Sequence, residues 1–340
     1  MSLKQPTLRE IAKRANVHYT TAACVLNGTR GNTRVSEQTR KRVLMAAKEL
    51  GYTVNRAAQQ LRTRKSQVVG LLVGGVENPF FARMVALCSA ALERRGYEII
   101  LTTRRADEPN DLHLLNTLLS RRPDGMIVWC ETSTEVHERV QQPDMENVVV
   151  IGYGVPGRDS VSAVLQTGLQ SALEHFVASG RRRIAYLAPE HSVARDGDVR
   201  SEYYTNFLKA IGQDPLVYTF HGTAFDVDIA RDCVEQMLEL PERPDALLCF
   251  NDMTAFGALA GLRHKGVRVP QEMAVIGCDD LPFAALFDPP LTTIAYPLHE
   301  ICDLAVQMLG ERIQAIQAGE WLAPRHVEIP TKLIVRASGG

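Results

Sequence analysis

No stretch of the 340 residues approaches the roughly 18 consecutive apolar residues needed to span a membrane. Met1 to Lys13 hold no apolar core of a secretion signal, so export is not expected. The Cys-x-x-Cys spacing is missing. Seven cysteines (Cys24, Cys88, Cys130, Cys233, Cys249, Cys278 and Cys302) are an odd number scattered along the chain. That pattern excludes a disulfide framework and a zinc ribbon, and it predicts reduced, mostly buried thiols in a cytoplasmic protein. Internal repeats and low-complexity segments are absent as well. So are the common catalytic signatures: no His-Glu-x-x-His, no Gly-x-x-x-x-Gly-Lys-Ser/Thr and no Gly-x-Ser-x-Gly. Gly70, Gly74 and Gly75 do not form the dinucleotide fingerprint, and the nine histidines include no close pair at metal-ligand spacing. No catalytic residue, metal or cofactor is assigned, and an enzyme is not expected.

Hydrophobic residues at 45% and charged residues at 23% are ordinary values for a folded, soluble chain. The length exceeds what one core usually serves, so two or more domains are expected. A net charge of −1 conceals a strong segregation. Residues 1–65 carry 14 Lys+Arg against three acids (Glu10, Glu37 and Glu49), whereas the remainder holds 24 basic and 36 acidic residues. A basic head on an acidic body implies that the head alone meets a polyanion.

The head reads as three short helices over 1–54. Thr7 is placed to cap a helix over 8–15, with Glu10 completing a capping box. A turn at Asn16-Val17 leads to a second helix over 18–26, and Ser36 caps a third that Gly51 stops. Ile11, Val17, Ala22, Val25 and Leu26 offer a small core, joined by Val43, Leu44, Ala47 and Leu50 at helical spacing. Two helices and a tight turn with a third behind make a helix-turn-helix. Residues 55–66 follow as a marginal helix and linker. From 67 to 340 the pattern is β-α alternation. Apolar runs fall at 68–76, 97–103, 124–130, 147–153, 182–189, 245–250, 273–278 and 330–336, with amphipathic stretches between them. Such runs predict parallel sheet covered on both faces, and the length predicts two α/β lobes with a cleft.

The residues Thr7-Leu8-Arg9-Glu10-Ile11-Ala12-Lys13-Arg14-Ala15-Asn16-Val17, Val25-Leu26-Asn27-Gly28, Val35-Ser36-Glu37, Leu50-Gly51-Tyr52 and Asn55-Arg56 resemble the lac-repressor/galactose-repressor family of bacterial transcription regulators. The body continues the likeness through Asn78-Pro79-Phe80-Phe81, Arg122-Pro123-Asp124-Gly125, Asn251-Asp252-Met253, Gly277-Cys278-Asp279-Asp280 and Asp288-Pro289-Pro290-Leu291-Thr292-Thr293-Ile294. The resemblance implies a helix-turn-helix head, a hinge helix and a two-lobed effector domain like the periplasmic binding proteins.

It further implies that the second helix enters the major groove, with Tyr19, Thr20 and Cys24 as base readers. The family pattern commonly has serine and arginine where this chain has Ala23 and Cys24. Cys24 is therefore either a base reader or a small core residue. The loop from Thr29 to Arg34 is longer than usual, and its Arg30 and Arg34 are offered as backbone contacts in compensation. Thr7, His18, Thr21, Asn27, Ser36, Thr39, Tyr52 and Asn55 are candidates for positioning phosphates, each with plain capping as its alternative. Gln59 and Leu61 match the hinge helix, and Leu61 would wedge into the minor groove at the centre of the site. Val54 replaces the usual proline before Asn55. A wedge from each of two subunits requires a twofold dimer on a near-palindromic operator.

Ligands of open α/β sheets bind beyond the carboxyl ends of strands. Asn78 and Phe80, Trp129 and Glu131, Tyr153, Asn251 and Asp279 stand at such ends, with Arg200 and Phe225 in neighbouring loops. Effector contacts are placed by matched motif at Phe80, Arg200, Phe225, Asn251 and Asp279, and by position at Asn78 and Trp129. The alternatives are capping for Asn251 and interface packing for Phe80. The resulting expectation is a cytoplasmic, homodimeric DNA-binding regulator, a repressor as is most common in the family, switched by a small effector. A sugar or sugar derivative is the preferred effector and a nucleobase the second choice. The chain carries no leucine heptad tail after its last strand, which favours a dimer over a tetramer. The rival is a cytosolic two-lobed sugar-binding protein or sugar-processing enzyme with an incidental basic head.

Overall fold

The computed structural model describes residues 6–27, 35–52, 65–104, 110–129, 134–193 and 198–340. The chain divides into two compact units, Met1–Ser66 and Gln67–Gly340. In the first unit, helices α1 (Leu8–Arg14), α2 (Tyr19–Asn27) and α3 (Glu37–Glu49) follow one another. The Thr7 hydroxyl accepts from the Glu10 amide, and the Glu10 carboxylate accepts from the Thr7 amide at 2.6 Å, a complete capping box. Ser36 accepts from the Thr39 amide and starts α3. Asn16 turns the chain between α1 and α2 at a φ of 51°, a conformation asparagine tolerates. Ile11, Ala12, Ala15, Ala22, Val25, Val43, Ala46 and Ala47 form the core. Five alanines let short helices approach closely. Leu44 and Leu50, expected inside, are 48% and 37% exposed. At 100° per residue, positions 43, 46 and 47 already fill the one face that so small a bundle can cover.

The second unit contains two six-stranded sheets. The first comprises β1 (Val68–Val73), β2 (Glu98–Thr103), β3 (Gly125–Trp129), β4 (Val148–Ile151), β5 (Asp159–Val164) and β11 (His326–Pro330), in the order β11-β5-β4-β3-β1-β2, all parallel. The second comprises β6 (Ile184–Pro189), β7 (Leu216–Phe220), β8 (Ala246–Cys249), β9 (Ala274–Asp279), β10 (Thr292–Ala295) and β12 (Lys332–Ile334), in the order β12-β10-β9-β8-β6-β7. Helices α4 (Pro79–Glu93), α5 (Asp111–Ser120), α6 (Thr134–Val140), α7 (Leu165–Ala178), α8 (Glu190–Val193), α9 (Val199–Ala210), α10 (Val227–Met237), α11 (Asp252–His264) and α12 (Leu298–Ala318) connect and cover them.

Both faces of the inner strands are buried. Val69, Leu71 and Val73 of β1 pack with Met84 and Cys88 of α4, while Leu72 faces Leu115 and Leu118 of α5. In the second sheet Leu247 and Cys249 join the cluster containing α10 and α11, and Leu248 joins α7 and α9. Strands buried on two faces must be continuously apolar, which is why these runs stand out in the sequence.

Two expectations are corrected. The run at 330–336 is not one strand: β11 ends at Pro330 in the first sheet, and β12 begins at Lys332 in the second. With Thr331 alone between them, no crossover is available, so β12 lies antiparallel to β10. Strands β5, β7 and β10 are not among the apolar runs that the sequence marks.

The chain passes between the sheets three times: after β5, between β10 and α12, and at Thr331. Two of these passages are tied together. The Thr331 hydroxyl donates to the Val164 carbonyl at 2.8 Å and accepts from the Gly168 amide at 3.0 Å, and the Thr167 hydroxyl lies 2.9 Å from the Thr331 carbonyl. Cys88, Cys249, Cys278 and Cys302 are buried and Cys24 and Cys233 partly so, none of these six in a disulfide, while Cys130 lies outside the described residues. Among the described residues no helix is long and apolar enough to cross a membrane.

Candidate DNA-reading surface and effector cleft

Helix α2 begins immediately after His18. Its first turn is held by the His18 carbonyl, which accepts from the amides of Thr21 and Ala22 at 3.0 and 3.1 Å. The Thr20 amide donates to His18 Nδ1 at 3.4 Å, and the Thr20 hydroxyl lies 2.8 Å from the same nitrogen. Histidine thus serves as a side-chain cap on this helix, and Thr20 is oriented by it. Tyr19 and Thr20 are exposed, while Thr21 and Cys24 are half-buried. Thr20 and Cys24, four apart, share a face of the helix. Half-burial leaves Cys24 between its two readings.

Thr7 and Ser36 are engaged as caps, and the Ser36 hydroxyl donates to that of Thr39 at 2.9 Å. Tyr52 packs on the core of the unit, its amide bonded to the Ala47 carbonyl. Asn27 is the last residue of α2. Asn55, Gln59 and Leu61 lie outside the described residues, as do Val54, Glu131, the segment 29–34 and most of 55–66.

In the second unit an aromatic cluster gathers at the carboxyl ends of the first sheet. Asn78 caps α4 by accepting from the Phe80 amide at 3.0 Å, which fixes Phe80 and Phe81 in the first helical turn. The Phe80 ring meets Trp129, at the end of β3, at 5.6 Å and Tyr296 at 5.1 Å, both edge to face. Phe81 meets Phe80 at 5.3 Å and Trp129 at 5.4 Å. Phe80 is buried in this cluster, whereas Trp129 is half-exposed. Tyr296 is a member that sequence reasoning missed. Its signal was an aromatic residue directly after a strand and before Pro297. Tyr153, after β4, stacks on His137 and their side chains lie 3.1 Å apart.

At the carboxyl ends of the second sheet, the Arg200 guanidinium lies 4.5 Å over the Phe250 ring, a cation–π contact. Asp198 caps α9 through the amides of Arg200 and Ser201, and Tyr186 donates to its carboxylate at 3.4 Å. Burial pushes the Tyr186 phenol well above its ordinary range and the Cys278 thiol, beside Arg200, up to about 12. Neither group ionises near neutral pH. Asn251 is buried and caps α11 by accepting from the Thr254 amide at 2.9 Å, so its side-chain oxygen is engaged in the alternative role. Phe225 is half-buried in the loop before α10.

Asp279 ends β9 with φ at 130°, and Asp280 follows at 53°, two successive non-glycine residues in strained conformations. The strain is held in place. Asp252 accepts from the Leu281 amide at 2.7 Å and from the Thr293 hydroxyl, and Arg336 donates to the Asp280 carboxylate at 2.7 Å. Burial pushes the Asp252 carboxyl up to about 6. The first lobe therefore offers aromatic edges and faces, and the second a carboxylate, a guanidinium and Phe225. Together they suit a small ligand with one flat face and polar edges. Among the described residues no group of His, Cys, Asp and Glu could hold a metal ion.

Residues 7–55 match the bacterial regulatory proteins of the lacI family, and residues 173–339 match the periplasmic binding protein-like domain. The HTH-type transcriptional repressor PurR of Aliivibrio salmonicida (strain LFI1238) is 31% identical over 333 residues, covering 96% of this chain and 98% of the relative. The chain belongs to the lacI family. PurR of Haemophilus influenzae (strain PittEE) is 30% identical over 340 residues, covering 98% of each. Among solved structures, the lac repressor dimer bound to operator and the anti-inducer ONPF matches at a TM-score of 0.81 and 25% identity, covering 98% of this chain and 99% of that one. The complex of the transcriptional regulator CelR with cellobiose matches at 0.66 and 27%, covering 98% and 100%. The family resemblance and the fold class are borne out. A lacI-family chain is a transcriptional regulator, so the segregated charge of head and body has its explanation.

Proposed function

We propose that this chain is a dimeric repressor that reads a near-palindromic operator through α2 and is controlled by a nucleobase in the cleft of its second unit. The observation that carries the effector class is the relation to the PurR repressors over almost the whole chain, which favours a purine-related ligand. The site chemistry fits. Trp129 and Phe81, backed by Tyr296, offer ring surfaces to a flat heterocycle, Asp279 is an acceptor for its N–H groups, and Arg200 a donor to its carbonyl. This ordering reverses the preference drawn from sequence, where a sugar stood first. The sugar remains a second reading because CelR, at 27% identity, is complexed with cellobiose. In the head, Tyr19 and Thr20 are the readers of base edges, and Leu61 is the wedge.

The test is selection of random duplexes by the full-length protein at fixed salt, with and without a panel of purine bases and a panel of sugars. An enriched palindrome whose affinity responds to a purine supports the whole reading. A response to sugars alone sinks the nucleobase assignment. No enrichment in any condition sinks the operator reading. Whichever ligand responds, linkage requires the operator to change its affinity by the same factor.

A further inference from the structure

Asp280 takes its contacts from both sides of the cleft. From its own lobe, Arg336 donates to its carboxylate at 2.7 Å and its amide reaches the Thr293 hydroxyl at 3.4 Å. Its carbonyl accepts from the other lobe: Arg83 Nη1, on α4, donates to it at 3.2 Å across 197 residues of sequence. Helix α4 packs on β1, β2 and α12, whereas Asp280 follows the last residue of β9 in the second sheet. A carbonyl in a left-handed residue points where no regular strand would send it, and any relaxation of φ at Asp279 or Asp280 swings it away.

We propose that Arg83 is a positioning residue for the effector cleft, holding the Asp280 carbonyl from the opposite lobe and thereby fixing Asp279 only when the lobes stand at their closed spacing. This rests on the reading of Asp279 as an effector contact. The physical logic is one of shared constraint. Asp252, Thr293 and Arg336 fix the turn within the second lobe, so its residual freedom is the carbonyl that Arg83 holds. Separation of the lobes breaks that bond first, because a guanidinium-to-carbonyl hydrogen bond has little reach beyond its 3.2 Å. Asp279 is then released from its ligand-ready orientation without any change at its own side chain. Ligand on Asp279 favours the closed turn, and the closed turn favours Arg83. Two sites biasing one bistable element is the minimal requirement for coupling.

The experiment uses the full-length protein, Arg83→Ala and Arg83→Lys. Amide hydrogen exchange is followed without ligand over residues 279–284, and hypoxanthine titrations serve as the binding probe. Exchange at Asp280 and Leu281 is expected to rise about tenfold in Arg83→Ala, with unchanged exchange in α4, and to be partly restored in Arg83→Lys. Hypoxanthine affinity is expected to fall about tenfold in Arg83→Ala, the loss of one charge-assisted hydrogen bond, with the same partial rescue. Unchanged exchange at the turn overturns the proposal. So does faster exchange accompanied by wild-type affinity. Faster exchange in a protein whose wild type ignores hypoxanthine upholds the positioning role and sinks the nucleobase reading instead.

Discussion

Arg312 Nη2 lies 2.8 Å from Asp159 Oδ2, and the acid side chain is wholly inaccessible. The pair joins β5 to α12, the helix that brings the chain back from the second sheet. The other Asp159 oxygen accepts from the Arg325 amide at 2.8 Å, and Arg312 also donates to the Leu322 carbonyl at 2.7 Å. The return from α12 to β11 is thus built around one buried carboxylate.

Removing that carboxylate leaves the Arg312 charge buried and unpaired. Asp159→Ala is expected to destabilise the second unit by about 3 kcal/mol or more, read by urea unfolding. Replacing both partners, Asp159→Leu with Arg312→Met, should recover most of the loss, because an apolar pair carries no desolvation penalty. A single mutant within about 1 kcal/mol of wild type would show the pair to be energetically idle.

Asp252 sets a pH dependence of definite sign. Burial raises its carboxyl from 3.8 to about 6, and Asp280 adds to this, while the Thr293 hydroxyl, the Leu281 amide and Arg336 oppose it. The folded protein holds this proton more tightly than the unfolded chain does. Its stabilising contribution is full below 3.8 and is lost as pH rises through about 6. Asp252→Asn, neutral and nearly isosteric, should remove that segment of the profile. The difference in unfolding free energy between wild type and variant should shift by roughly 2 kcal/mol from pH 4 to pH 7. A difference independent of pH across that range refutes the assignment.

How much was legible in the sequence follows from where the stabilising partners lie. The caps at Thr7 and Ser36 are local, three residues from their partners, and they were read directly. Strands β1, β3, β4, β6, β8 and β9 are buried on both faces and announce themselves as apolar runs. Strand β5 does not, because it opens Asp159-Ser160 with Ser162 two residues on. Those polar groups are buried against partners more than 150 residues away: Asp159 against Arg312, and Ser160 against His326 at 2.8 Å. Strand β7 lies at a sheet edge with alternating exposure, and β10 opens on two buried threonines, Thr292 and Thr293, rather than on an apolar run. In the cleft, Phe80 and Trp129 were visible from strand ends. Tyr296 belongs there only because the chain crosses between sheets at that point. For Asn78 and Asn251, the sequence could not separate a cap from a ligand contact, since both uses demand a short polar side chain before a helix.

The His18 cap yields a prediction about operator reading. An amide can only donate, so His18 Nδ1 is the acceptor of the Thr20 N–H. Asparagine offers an acceptor oxygen in a similar place, whereas alanine offers none. His18→Ala should cost about 1 kcal/mol of stability in the first unit and free the Thr20 hydroxyl to turn. Anisotropy titrations on a selected duplex should then show specific affinity falling several-fold, with little change on unrelated DNA. His18→Asn should stay near wild type in stability. Equal behaviour of the two variants would show that the ring does not orient Thr20.

Two glycines in helices separate a hinge constraint from simple helix propensity. A Cβ on Gly168 would stand 2.3 Å from Ile294 Cγ2 and 2.7 Å from Thr331 Oγ1, where the passages between the sheets converge. One of these neighbours is a β-branched core side chain, and the other is the hydroxyl that already bonds Val164 and Gly168. Neither can retreat without opening the junction. A Cβ on Gly310, inside α12, would meet nothing nearer than Arg95 at 3.9 Å. Gly168→Ala should therefore destabilise the second unit by about 1–3 kcal/mol, the cost of overpacking. Gly310→Ala should stabilise it by about 0.5–1 kcal/mol through helix propensity alone. Thermal unfolding of the two variants side by side decides the matter: shifts of the same sign would mean that the junction at Thr331 yields more readily than its close contacts imply.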